Sequence, residues 1–243
     1  MKWRTSISTH KNGELYVHGK KLLDLIQEHS FVQGIFLLLK GVLPNNKEEE
    51  LLNTLLVAMI EHGIQAPSTF VSRTVASTGN PVNAALAGGI LSIGEFHGGA
   101  IEQCAKYFQS GKTAQEIVTE ITSKGGRMPG YGHKIYKDSD PRTAVIFKKA
   151  AQLGFKNTFI ALAEAIQKEL KKQTGKKLPI NIDGAVAALM SELGLDWQLG
   201  KALFILGRLP GLIAHVHEEM VREKPYRRLE EADVEYDGVN LGS

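Results

Sequence analysis

Apolar residues recur every three or four positions along most of this chain, the spacing that lines one face of a helix. Leu22, Leu23, Leu25 and Ile26 form one short stripe. A second helix is expected over "SFVQGIFLLLKG", with Ser30 placed to cap it and Gly41 and Pro44 to stop it. The run "NKEEELLNTLLVAMIEHG" begins with carboxylates, which favour the positive end of a helix dipole, and Gly63 is its expected end. "PSTFVSRTVAST" and "PVNAALAGGILSIGE" are rich in Ala, Gly and Ser, and such small side chains predict close packing of helix backbones. Further helical runs are "HGGAIEQCAKYFQ", "TAQEIVTEITSKG", "PRTAVIFKKAAQLG", "NTFIALAEAIQKELKKQ", "INIDGAVAALMSELG" and "WQLGKALFILGRLPGLIAHVHEEMVREK". Strand spacing is confined to the start, where "WRTSIST", a turn at "HKNG" and "ELYVHG" predict a hairpin. Residues 225–243 read as an extended tail. The expected fold is all-α with short loops.

Composition narrows this only a little. The 243 residues are 43% hydrophobic and 23% charged, ordinary globular values, and enough to bury a core. A net charge of +3 does not point to nucleic acid, though it suits anionic ligands. Cys104 is the single cysteine, so no internal disulfide can form, and a cytoplasmic location is the expectation. The polar start "MKWRTSISTH" does not read as a signal peptide, and "GIFLLLKGVL" is too short to span a bilayer. Neither a nucleic-acid nor a membrane partner is expected.

One stretch breaks the helical rhythm. "MPGYGHKIYKDSDPRTAVIF", residues 128–147, packs a proline and two glycines around His133 and sets Asp-Pro-Arg seven to nine residues later. It is not a phosphate loop, since Tyr131 stands where the lysine belongs and no strand precedes it. His215 and His217, two apart on a helix, face different ways and make a poor metal pair, so no metal is expected. Four places put a polar group where packing alone asks for none: His97 in "GEFHGGA", His133, Asp183 in "LPINIDGAVAALM", and Arg208 in "ALFILGRLPGLIAHV". Each has a plainer reading. Asp183 before a helix could be an N-cap, and Arg142 could pair with Asp138 or Asp140 on the surface. Taken together, two histidines, a carboxylate and two arginines suit proton removal next to a carbonyl, with clamps for a dicarboxylate.

"GYGHKIYKDSDPR" resembles the signature of the citrate synthase superfamily, and "EHGIQAPSTFVSRTVAST", "GEFHGGAIE", "LPINIDGAVAALM" and "LGRLPGLIAH" are similar to its other segments in the same order. The resemblance implies roles. His97 would bond the thioester carbonyl of acetyl-CoA, Asp183 would move the methyl proton, and His133 would serve the ketone or hydroxyl oxygen. His62, Arg142 and Arg208 would hold the four-carbon half. The backbone of Pro129, Gly130, Tyr131 and Gly132 would lie along the coenzyme, with Lys177 at its phosphates. It further implies homo-oligomers built from dimers, a large domain over residues 1–99 and 190–243, and a small mobile coenzyme domain over 100–189. No permanently bound cofactor is implied; the coenzyme A thioester arrives as substrate.

The chain departs from the family in two ways. A single helix joins "KGVLPNNKEEELL" to "AMIEHG" where a citrate synthase carries extra helices. The compact form resembles citryl-CoA lyase and the lyase module of ATP-citrate lyase. That implies cleavage of citryl-CoA to acetyl-CoA and oxaloacetate; a compact citrate or 2-methylcitrate synthase is the alternative, and a non-catalytic CoA-binding module a third reading. Lys224 also stands where the family has an arginine before proline, with Arg227 or Arg228 as substitutes.

Overall fold

The structure, a computed structural model, describes residues 2–239; the last four residues of the expected tail lie outside that range. Helices dominate. In order they are α1 (Leu22–Glu28), α2 (Phe31–Lys40), α3 (Asn46–Ala58), α4 (Pro67–Ser77), α5 (Val82–Leu91), α6 (Gly99–Phe108), α7 (Ala114–Ser123), α8 (Pro141–Gln152), α9 (Thr158–Thr174), α10 (Ile182–Glu192) and α11 (Gly200–Arg222). The all-α expectation holds. The hairpin is also present, as β1 (Ser8–Lys11) and β2 (Glu14–Val17), and it gains a short third strand, β3 (Lys20–Lys21). Both turns use two consecutive residues at positive φ, Asn12-Gly13 and His18-Gly19, the geometry whose twist matches a hairpin.

Local chemistry sets most boundaries. Ser30 caps α2 by accepting from Gln33 N, while the Gln33 side chain accepts from Ser30 N, and Gly41 closes the helix in the left-handed conformation. Asn45 and Glu48 form the same reciprocal box on α3. That helix ends at Ala58 with Met59 as its cap, so Gly63 lies beyond a turn instead of closing the helix.

The chain divides into two compact units. Unit 1 comprises the residues up to Glu61 together with Gly94–Leu209. Its centre is α10, which packs on α6, α9, α8 and α3 and buries an unbroken run from Gly184 to Ser191. Unit 2 comprises His62–Ile93 and the residues from Pro210 on. Here α4 packs on α5 over Ala76, Ala85 and Val216. The small residues are needed, since a Cβ on Gly89 would stand 2.7 Å from Ser68 O. The boundaries expected near residues 99 and 189 both fall inside unit 1. The second lies within α10, which runs through it without a break.

α11 crosses from one unit to the other and is long and apolar enough to span a bilayer by composition. Its apolar side buries Leu203 and Phe204 within unit 1, and Leu212 and Val216 within unit 2.

The loop of residues 128–132 meets α10 at a backbone crossing. Gly130 has φ +78°, and a Cβ there would lie 2.6 Å from Gly184 Cα. Alanine fits neither the dihedral nor the space. Gly130→Ala is expected to cost about 2–4 kcal/mol, measured by thermal unfolding; a variant as stable as the parent would show that the crossing tolerates separation.

Candidate active site

Five of the residues singled out in the sequence belong to unit 1: His97, His133, Arg142, Asp183 and Arg208. Each is held by a different local device.

Asp183 sits in the first turn of α10, but it is not the cap. Asn181 is, accepting from Asp183 N at 3.0 Å and Gly184 N at 3.2 Å. The N-cap reading is therefore overturned, and the Asp183 carboxylate is left available. Burial pushes this carboxyl above its ordinary value of 3.8, only partly opposed by the nearby charges of Arg142 and Arg208. A carboxyl that carries a proton more readily than usual is suited to moving one.

His133 lies half-buried in the glycine loop. Its Nδ1 accepts from Ile135 N at 3.1 Å and Tyr136 N at 3.2 Å. In the neutral ring that fixes the proton on Nε2. Nε2 faces Arg142 Nη2 at 3.5 Å. Both are then donors, so they form no bond with each other. They present two N–H groups to the same space, as a ligand oxygen requires.

Arg142 is aimed by Asp140, which caps α8 and is 1% exposed. Asp140 accepts from Arg142 N, Nε and Nη2 at 3.0, 3.1 and 2.8 Å. Burial pushes the Asp140 carboxyl up, but these bonds together outweigh it and hold it below the usual carboxylate range. The pair expected for Arg142 is thus made with Asp140, its carboxylate buried and its guanidinium partly exposed, and Asp138 pairs with Lys177 instead, at 2.8 Å.

His97 stands two residues ahead of α6, whose cap is Gly98 in the left-handed conformation. Its ring meets Phe204 edge-on, with centroids 5.6 Å apart. One turn further along α11, the Arg208 guanidinium lies 5.1 Å from the same phenyl ring. Phe204 therefore bridges His97 to Arg208, and Arg208 reaches Asp183 electrostatically. Arg208 is 3% exposed, and its Nε and Nη1 have no partner among the described residues. A buried cation with idle donors is costly unless an anion joins it.

The loop backbone is largely engaged already. Gly132 N donates to Pro179 O at 2.7 Å and Gly130 O accepts from Asn181 N at 3.0 Å, around a bridge from Tyr131 to Ile180. The Tyr131 hydroxyl donates to Ala163 O. Pro129 is half-buried, so the loop offers a surface more than free bonding groups. Lys177 is exposed with its ammonium on Asp138, so a phosphate there has to displace a carboxylate. His62 and Arg228 belong to unit 2, and both are exposed. Arg227 is held by buried Glu219 at 2.6 and 2.8 Å, whereas Arg228 lines a cleft of about 760 Å³ with Lys224 and Tyr226. Asp140, Asn181 and Phe204 were missed as site residues. Asp-Pro-Arg and Asn-x-Asp were legible as capping patterns for the first two, while nothing local marks Phe204.

A sequence profile described as citrate synthase, C-terminal domain, matches residues 44–229. The chain belongs to the citrate synthase family. A citrate synthase of Heyndrickxia coagulans is 28% identical over 219 residues, 87% of this chain and 58% of that protein. The chain thus spans little more than half the length of the curated relatives it matches. The structure of citryl-CoA lyase from Hydrogenobacter thermophilus superposes with a TM-score of 0.94 at 45% identity, covering 99% of this chain and 96% of that one. ATP citrate lyase from Methanothrix soehngenii, solved with citrate and coenzyme A, superposes at 0.83 with 24% identity over 42% of its length, a likeness of fold.

Proposed function

We propose that the protein is a citryl-CoA lyase. The observation that carries the reading is the match to the Hydrogenobacter thermophilus citryl-CoA lyase, with a TM-score of 0.94 over 99% of this chain and 96% of that one. The curated citrate synthase relatives are matched over little more than half their length, and the solved citrate synthases of Pyrobaculum aerophilum and Thermotoga maritima superpose with TM-scores of only 0.57 and 0.58. The site chemistry supports a reaction in which a carbon–carbon bond breaks beside a thioester.

The bond between the hydroxyl-bearing carbon of citryl-CoA and its thioester methylene breaks. Its electron pair becomes the enolate of acetyl-CoA, and the hydroxyl oxygen becomes the ketone of oxaloacetate. His133 Nε2–H and Arg142 both donate toward that oxygen and stabilise its negative charge. The hydroxyl proton leaves through water, because Nδ1 already accepts two backbone donors and Nε2 already carries hydrogen. His97 donates to the enolate oxygen. Asp183, whose hold on a proton is strengthened by burial, protonates the enolate carbon. Arg142 and Arg208 hold carboxylates in forked bonds.

The second reading, a compact citrate or 2-methylcitrate synthase, is favoured by the names of the curated relatives. The two differ in thioester hydrolysis. Supplied with citryl-CoA and a thiol reagent, the protein is expected to release oxaloacetate and acetyl-CoA without free thiol. Free coenzyme A appearing as fast as citrate would overturn the lyase reading.

A further inference from the structure

One amide group joins the two halves of the site. Asn181 Oδ1 accepts from Asp183 N and Gly184 N, while Asn181 Nδ2 donates to Gly132 O at 2.9 Å. Gly132 O belongs to the peptide unit that ends at His133 N. Gly132 itself has φ +88°, in the region where glycine alone moves freely, so the orientation of that peptide needs an external hold. Asn181 thus touches the peptide that carries Asp183 and the peptide that delivers His133.

We infer that Asn181 is a positioning residue, its side-chain amide fixing the His133 loop in register with the Asp183 carboxylate. The inference rests on the lyase reading for the roles of His133 and Asp183, but the coupling itself does not. The main-chain bonds of this segment, Gly132 N to Pro179 O and Asn181 N to Gly130 O, hold the loop against residues 179–181. Neither fixes the Gly132 carbonyl. Loss of the amide link therefore leaves the loop attached but lets the peptide before His133 rotate, which carries Nε2 away from Arg142. Misplacement of a catalytic group by about 1 Å slows a reaction on the order of a hundredfold.

Serine separates the two functions of Asn181. It is as good an N-cap as asparagine, yet it is too short to reach Gly132 O while capping. Asn181→Ser is expected to keep the parent Tm, to lower kcat for citryl-CoA cleavage by about ten- to a hundredfold, and to change KM by less than about threefold. Asn181→Ala loses the cap as well and is expected to lose both Tm and kcat. Amide hydrogen exchange supplies a readout that needs no activity: in Asn181→Ser, residues 133–136 should exchange faster while the α10 amides stay as protected as before.

A kcat within twofold of the parent in Asn181→Ser, or unchanged exchange at 133–136, overturns the inference. So does a fall in Tm that matches Asn181→Ala, since that assigns Asn181 to capping alone. Should the parent enzyme not cleave citryl-CoA, the lyase reading fails, and the exchange measurement still decides whether the amide holds the loop.

Discussion

Asp183→Asn is expected to lose citryl-CoA cleavage by a factor of about 10²–10⁴ and yet to unfold at a higher temperature than the parent near neutral pH. The first effect follows from the role proposed for the carboxyl, because asparagine has no proton to give the enolate carbon. The second follows from the direction of its shift. Burial raises the Asp183 pKa above 3.8 in the folded protein, so folding favours the protonated form. The stability this contributes is complete below 3.8 and is lost as pH rises through the folded value. Above that value a half-buried carboxylate weighs against the native state. Asparagine is the neutral isostere, so its Tm advantage should grow with pH, shrink on acidification and vanish near 3.8. Unfolding scans across pH check the stability, and binding of coenzyme A separates lost chemistry from lost affinity. The same shift sets the pH profile. Cleavage uses the protonated carboxyl and should weaken as pH rises through the raised pKa, whereas condensation uses the carboxylate and should strengthen. Parent-level turnover in Asp183→Asn, or a Tm gain independent of pH, would remove Asp183 from the role of proton carrier.

The helices were legible because their signals are local. Ser30, Gly41 and the Asn12-Gly13 turn act through their own neighbours, and each stands where its chemistry predicts. Gly63 misled because α3 is already closed four residues earlier, at Met59, whose amide donates to Leu56 O and Val57 O. In the site, residue types and order were readable but burial was not. Asp140 looked like a surface partner for Arg142, yet the fold covers it to 1% exposure and makes the pair a fixed clamp. The plainer cap reading of Asp183 fails because Asn181, two residues earlier, takes the capping position. The bridge from Tyr131 to Ile180 joins segments far apart in sequence and shorter than any periodic pattern, so no window along the chain could reveal it. Phe204 is apolar in an apolar helix, and only its two neighbours in space, His97 and Arg208, distinguish it.

Arg208→Met should weaken binding of the four-carbon product about a hundredfold to a thousandfold while leaving Tm unchanged or raising it. Arg208 is 3% exposed, and two of its donor atoms have no partner among the described residues. Burial lowers its pKa, the mark of a cation the fold does not fully compensate. Methionine fills similar apolar space without that penalty, and replacing a buried charge by a well-packed apolar side chain is often neutral or stabilising. Glu61, within electrostatic reach of Arg208, is exposed and stays hydrated when the cation is gone. Ligand binding fares differently. Hydrogen bonds to a charged carboxylate contribute about 1.5–3 kcal/mol each, so losing a forked pair removes at least two powers of ten in affinity. Lysine should not restore it, because a single ammonium cannot form the fork. Arg208 also holds the Asp183 pKa down, so in Arg208→Met the fall of cleavage with rising pH should move to higher pH. Calorimetric titration with oxaloacetate, unfolding scans and the pH profile of kcat read the three effects separately. A lower Tm with unchanged affinity would make Arg208 a structural residue, whereas weak binding in a sturdier protein would mean that its unpaired donors are kept for a ligand carboxylate at the expense of stability.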